Sequence, residues 1–526
     1  MEKAVAEKAF IIGIDQSTQG TKALLFDREG RLLLRTDAPH RQLVNEKGWV
    51  SHDPEEIYQN TVKTVTRLVE QSGIGRNQVA AIGISNQRET SLIWDRISGK
   101  PLADAVVWQC ARGAEICRQV KEAGLEDMIR ERTGLPLSPY FPASKFAWLL
   151  QNADGAMELA RRHQLCFGTI DTWLVYRLTG GRAYKTDYSN ASRTQLYDIF
   201  RLKWDQEICQ AFGVDAKDLA EVCDSDSFFG ETNLEGFFEE PVPIRGVLGD
   251  SHGALFGQGC LRPGMVKATY GTGSSVMMNI GGMYETASQT SGRGVDAIQM
   301  SGRGTAATQS PDSGVVTSLA WGLSGKVDYV LEGNINYTGA VISWLKDDLE
   351  MIGSPQETEE LCRRAKECDG LYFIPAFTGL GAPYWDSEAR GALLGVTRAC
   401  GRAEFVRACV DCIAYQIADV VEAMEQSSGI RPGELRVDGG PTGNGYLMEM
   451  QSGILNTKIL VPSSQELSGM GAAYAAGMAA GLYDERIFDR MERKVFVPQM
   501  EETLRRRRLE GWKRAVRAVL TEGRQS

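Results

Sequence analysis

Two segments far apart in the chain carry the same chemistry: IIGIDQSTQGTKALLFD at 11–27 and KATYGTGSSVMMNIG at 267–281. Each reads as an apolar strand, a tight turn of Gly, Ser and Thr, and a second apolar strand, so each turn offers backbone N–H groups and hydroxyls to an anion. Two phosphate-gripping hairpins predict a nucleotide held between two halves. In the first, Asp15 ends the leading strand, where a carboxylate holds Mg²⁺, usually through water, beside a polyphosphate. A third segment, LRVDGGPTGNGYLMEMQSGIL, runs from an apolar stretch through Asp438, Gly439 and Gly440 to Asn444 and a helical pattern at Leu447, Met450 and Ile454. Glycines at a strand-to-helix turn let a flat or charged ligand approach the backbone closely. This turn suits the adenosine end of the nucleotide.

Other combinations carry less. Asp250, Ser251 and His252 have the composition of a hydrolytic triad, but consecutive residues cannot align as orienter, nucleophile and base. Cys409 and Cys412 form a C-x-x-C inside a long helical pattern, away from a helix N-terminus and with no second pair at zinc-ribbon spacing, so they read as small core-facing side chains. The segment EETLRRRRLEGWKRAVRAVL at 501–520 is basic and helical, and one charge run on an acidic protein reads as a solvated terminal helix.

These residues need a scaffold of alternating elements. After the first hairpin come RLLLRTDAP as a strand and a helix around Pro54–Gln71 with an Asp53 cap. The buried strand VAAIGIS at 79–85 follows, and alternation continues through FGTIDTWLVYRLTG to PVPIRGVLGD. The second half restarts with its own hairpin and continues through strand LYFIPAF, helix 403–426, strand LRVDGG and helix 445–456. The loose duplication predicts an N-terminal domain over 8–257 carrying substrate and the first phosphate hairpin. A nucleotide-binding C-terminal domain over 258–490 and a basic helical tail over 491–526 follow. At 526 residues two domains are the default.

Composition bounds the partners. A net charge of −10 argues against nucleic acid and against a membrane surface, since both need a basic footprint. No apolar run approaches the ~20 residues that span a bilayer, and MEKAVAEKAF leads straight into a strand, so a cytoplasmic protein is expected. Eleven scattered cysteines fit a reducing compartment.

Longer matches extend the reading. GISNQRETSLIWD at 83–95, AVVWQCARG at 105–113, TDYSNASRTQLYDI at 186–199, TSLAWGLSGKVDYVLEG at 317–333, PAFTGLGAPYWDSEARGALLG at 375–395 and RVDGGPTGNG at 436–445 resemble the FGGY carbohydrate kinases, most of all their glycerol-kinase branch, over nearly the whole chain. The resemblance implies two ribonuclease-H-like α/β domains of actin/hexokinase type with an interdomain active-site cleft, using ATP and Mg²⁺. It implies substrate contacts by Arg88, Glu89, Tyr140 and Asp250, with Asp250 as general base for the attacking hydroxyl. It places Thr18, Lys22, Gly271, Thr272 and Gly273 around the phosphates, Gly339, Ser343, Gly440 and Asn444 near the adenosine and adjoining phosphates, and Asp15 at the Mg²⁺. A homodimer or homotetramer is the expected assembly.

The residues themselves suit a polyol. Arg88 beside Glu89 sets a fork of donors next to an acceptor, which adjacent hydroxyls require, and Trp108 and Tyr140 offer faces to C–H groups. Two departures from the branch bear on specificity. Ser251 stands where Gln is usual after the catalytic Asp, and Ser274–Ser275 stand where Cys-Phe is usual. Losing a Phe from the carbon chain of the substrate predicts a larger, more polar pocket for glycerol or a four- to five-carbon polyol or ketose such as erythritol, xylulose or ribulose. In ETNLEGFFEEPVPIRG at 231–246 the Gly-rich basic loop tied to fructose-bisphosphate inhibition in some members is absent. The competing reading is a non-catalytic actin-like nucleotide-binding sugar sensor, which loss of Asp250, Asp15 or the Arg88–Glu89 pair would have favoured.

Overall fold

The computed structural model describes residues 8–282, 314–367 and 370–521. The chain forms two compact units: Met1–Gly259 with Thr317–Tyr329 and Glu466–Arg490, and Cys260–Val316 with Val330–Gln465 and Met491–Ser526.

In the first unit the predicted hairpin forms strands Phe10–Gln16 and Gly20–Phe26, antiparallel, with Leu32–Pro39 antiparallel beyond them. Val79–Asn86 then pairs parallel with Phe10–Gln16, and Val242–Gly249 parallel with Val79–Asn86. The second unit repeats the plan. Val266–Tyr270 pairs antiparallel with Ser274–Gly281 and parallel with Glu434–Asp438, which pairs parallel with Lys458–Pro462, while Lys326–Ile335 flanks the hairpin. A hairpin with a third strand beside it, followed by two parallel strands, is thus built twice, and the parallel additions need the crossovers that helices supply. One such helix, Pro54–Ser72, starts where expected: Asp53 accepts a hydrogen bond from the Glu55 N–H, and Ile57, Val65 and Leu68 are fully buried. Helix Arg402–Ser428 buries Cys409 and Cys412 completely, as core side chains.

Chain order and packing part company at Glu466–Arg490, which was expected in the C-terminal domain. Helix Leu467–Ala479, LSGMGAAYAAGMA, lies on the first unit's sheet because glycines on both sides remove the side chains between two backbones. A Cβ at Gly83 would strike the Ala472 carbonyl, and one at Gly471 the Gly253 carbonyl. We expect Gly471→Ala to destabilise the fold by at least the ~1–3 kcal/mol usual for overpacking, seen as a lower thermal midpoint, because the obstacle is main chain. An unchanged midpoint in a thermal scan would contradict this packing.

The basic tail is also corrected. Helix Glu502–Val519 is docked on the second unit: Trp512 and Val516 are buried, and the Trp512 indole donates to Asp419 at 2.6 Å. The four-arginine run masks an apolar stripe at Trp512, Ala515, Val516 and Val519, spaced for one helix face.

Candidate active site

The parallel register of the first unit sets three strand ends level. Asp15 lies opposite Ser85 and Ser85 opposite Leu248, so Gln16, Asn86 and Gly249 close the sheet together, and Asp250 follows at once. Ligands of open α/β sheets bind at such carboxyl ends. Asp15 is buried, 3.7 Å from Lys22 Nζ, which also donates to Glu466 at 2.8 Å. Burial pushes the Asp15 carboxyl up to about 6 against the pull of Lys22.

Asp250 is the first residue of helix Asp250–Gly257, where its charge meets the positive end of the helix. Its side chain is 37% exposed, enough to meet a ligand, and Arg88 Nε lies 3.3 Å away. Arg88, nearly buried, also donates to Ser251 Oγ at 3.2 Å. Gly249 makes room for this arginine, since a Cβ there would lie 2.7 Å from Arg88 Cγ. Glu89 adopts a left-handed backbone, φ 60°, uncommon for a residue with a side chain and a cost the surrounding structure must sustain. Its carboxylate, buried, accepts from Arg193 Nε at 2.7 Å.

Trp108 and Tyr140 meet edge to face, ring centroids 5.6 Å apart, and the Trp108 indole donates to Thr18 Oγ1 at 3.0 Å. The aromatic pair is thereby tied to the tip of the first hairpin. In that tip Ser17 N–H closes the turn on the Gly20 carbonyl at 2.9 Å.

The second unit holds the remaining predicted residues. Gly271 N–H bonds the Gly273 carbonyl at 2.8 Å, while the Gly271 and Thr272 carbonyls accept from the N–H groups of Gly339 and Ala340. Helix Gly339–Ser343 is thus hung from the hairpin tip, and the N–H groups of Thr272 and Gly273 bond no other backbone group among the described residues. Thr269 lies opposite Asp438, which brings Gly439 and Gly440 beside this hairpin. Gly439 has φ 100°, and a Cβ there would collide with the Tyr270 carbonyl, so the turn requires glycine. Asn444 caps helix Gly445–Leu455, accepting from the Leu447 N–H at 3.0 Å and donating to Thr358. Ser275 also falls in this unit, its hydroxyl 3.4 Å from the buried Glu332 carboxylate.

The sequence matches the FGGY family of carbohydrate kinases twice, its N-terminal domain over residues 10–257 and its C-terminal domain over 266–480. The chain belongs to the FGGY carbohydrate kinases. Among FGGY-like relatives, a glycerol kinase of Xanthomonas campestris is 43% identical over 98% of this chain and 99% of its own. Glycerol kinase 1 of Thermotoga maritima is likewise 43% identical, over 98% of this chain and 100% of its own. The solved structure of Plasmodium falciparum glycerol kinase with ADP superposes with a TM-score of 0.86 at 32% identity, covering 97% of this chain and 98% of that one. A xylulose kinase from Lactobacillus acidophilus, TM-score 0.81 at 20% identity over 97% of each chain, shares the fold. The protein is therefore a carbohydrate or polyol kinase, and its family uses ATP.

Within this FGGY kinase two buried cations escaped the reading of the sequence. Arg193 lies in SNASRTQLYD, a matching stretch whose one arginine among small polar residues was the available signal. Lys145 sits in helix Pro142–Asn152, fully buried, its Nζ donating to the Tyr140 carbonyl. A lone lysine among the apolar residues of FPASKFAWLL was its mark. Burial lowers Lys145 from 10.5 to about 7, against the attraction of Glu89. A lysine whose folded pKa is depressed loses stability as pH falls from its unfolded value toward the folded one. The advantage of Lys145→Met over wild type in thermal midpoint should therefore grow as pH drops from about 10 to 7 and level off below. A pH-independent difference would contradict a neutral lysine in the fold.

Proposed function

We propose that the protein transfers the γ-phosphoryl group of ATP to a primary hydroxyl of a small polyol or ketose longer than glycerol. The observation that carries this reading is the Arg88 guanidinium set between Asp250 and Ser251, beside a Glu89 forced into a left-handed backbone. Arg88 and Glu89 take adjacent hydroxyls as donor and acceptor, and the Trp108–Tyr140 pair covers the C–H side. Asp250 accepts the proton of the attacking hydroxyl as the phosphoryl group passes through a loose transition state. The Thr18 and Thr272–Gly273 turns present N–H groups and hydroxyls to the phosphates, and Gly440 leaves room for the adenosine.

Asp15 fits a cation held through water: a buried carboxyl whose lysine is shared with Glu466 gains most from added positive charge. Mg²⁺ there would neutralise charge on the β- and γ-phosphate oxygens. Ser275 in place of an aromatic residue leaves a polar wall against the carbon chain, which supports a four- or five-carbon substrate.

A panel of glycerol, erythritol, threitol, xylitol, ribitol, xylulose and ribulose, read as kcat/KM with ATP, tests the proposal. The highest value should fall on a four- or five-carbon compound. A maximum at glycerol would restrict the reading to the glycerol-kinase reaction.

A further inference from the structure

In the second unit a pocket of about 260 Å³ opens between strand Tyr372–Ile374, helix Arg402–Ser428 and the C-terminal helix Glu502–Val519. None of its lining residues belongs to the phosphate hairpins or the glycine turn. The arginine run of the C-terminal helix, which the kinase reaction does not use, supplies part of its wall.

The floor is aromatic. Tyr372 and Tyr415 lie with ring centroids 5.8 Å apart, and Trp512 stacks on Tyr415 at 5.1 Å. The Tyr372 hydroxyl donates to the Arg508 carbonyl at 3.1 Å. Tyr415 is only 4% exposed, yet its hydroxyl has no hydrogen-bond partner among the described residues and is not sealed off. A hydroxyl in that position calls for a partner from the pocket.

The wall is cationic. Lys366, Arg407, Arg507, Arg508 and Arg514 line it against Glu367, Glu404 and Asp411. Two of those acids are already engaged by the fold. Glu404 accepts the N–H groups of Gly401 and Lys366, and Asp411 accepts the Tyr446 hydroxyl at 2.8 Å with Arg407 Nε 3.6 Å away. Lys366 Nζ and the Arg514 guanidinium have no carboxylate within ion-pair distance among the described residues. With Arg507 and Arg508 they leave an excess of positive charge on a protein of net charge −10. Guanidinium forks match phosphate oxygens, and five cations against three carboxylates among the described lining residues leave a positive surplus that favours an anion. At about 260 Å³ the space falls below that of drug-sized sites.

We propose that this pocket is a binding site for a small phosphate monoester, its phosphate held by Lys366 and Arg514 at the rim and its body packed on Tyr372 and Tyr415, within reach of the Tyr415 hydroxyl.

Calorimetric titration of the full chain with phenyl phosphate tests it. One site is expected, with inorganic phosphate and phenol each binding at least ~10-fold more weakly, since each carries half of the recognition. The double variant Lys366→Ala/Arg514→Ala, which trims exposed side chains, should weaken binding by at least ~10-fold, and Tyr415→Phe, which keeps the stack on Trp512, should weaken it measurably. Thermal midpoints within a degree or two of wild type would show that both variants fold. Absence of binding, affinity unchanged in the double variant, or displacement by ADP with the variants still binding would overturn the proposal, the last by placing phenyl phosphate at the nucleotide hairpins.

Discussion

Asp250→Asn is expected to lower the rate of polyol phosphorylation by at least ~10²-fold while ADP binds as in wild type. The substitution keeps shape and an acceptor oxygen, so the Ser251 N–H, 2.6 Å from Asp250 Oδ1, retains its partner. What is lost is the capacity to take a proton from the attacking hydroxyl. Arg88 also loses the negative charge 3.3 Å from its Nε, so some increase in the KM for the polyol accompanies the loss of rate. A drop confined to KM would assign Asp250 to binding alone, and turnover near wild type would remove it from the base role. Single-turnover measurement with saturating ATP separates these outcomes from slow product release.

The second large effect concerns substrate size. Ser275→Phe should shift the kcat/KM ratio between the best four- or five-carbon substrate and glycerol toward glycerol by roughly 1–3 kcal/mol, about 5- to 150-fold, the scale of a shape change in a small pocket. Ser275 stands opposite Thr269 in the second hairpin, and its hydroxyl reaches Glu332 at 3.4 Å. The substitution therefore also removes one partner from a buried carboxylate. Ser275→Ala controls for this: it loses the same hydroxyl without filling space, and should leave the preference for the longer substrate in place. A wild-type preference for glycerol, unchanged by Ser275→Phe, would sink the enlarged pocket.

Much of this architecture is local and therefore legible. The strand-turn-strand segments at 11–27 and 267–281 declare themselves by short apolar runs on either side of small turn residues, and Asp15 and Asp438 are read from their positions at strand ends. Asp53 as a cap and the helix over 54–72 follow from residue types a few positions apart. Long-range pairing is what the sequence leaves unwritten. Nothing near Leu467–Ala479 announces that its glycines match those at Gly83 and Gly253, more than two hundred residues earlier. Glu89 and Arg193 stand 104 positions apart, and the arginine's role appears only when the fold buries both. The C-terminal helix misled because four arginines run together at 505–508, although Trp512 and Val516 decide where it sits. Asn444 and Ser275 were read for what they offer a ligand, whereas the fold also employs them, as a helix cap and as a partner of Glu332.

The central claim is transfer of phosphate from ATP to a polyol hydroxyl, and ³¹P NMR of the wild-type protein with ATP, Mg²⁺ and the best compound of the panel tests it most directly. The account predicts a new phosphomonoester resonance that grows in step with ADP and is absent without the polyol. ADP accompanied only by inorganic phosphate, or a nucleotide that binds and stays intact in the presence of every polyol and ketose of the panel, would contradict it and point to a nucleotide-binding sensor instead.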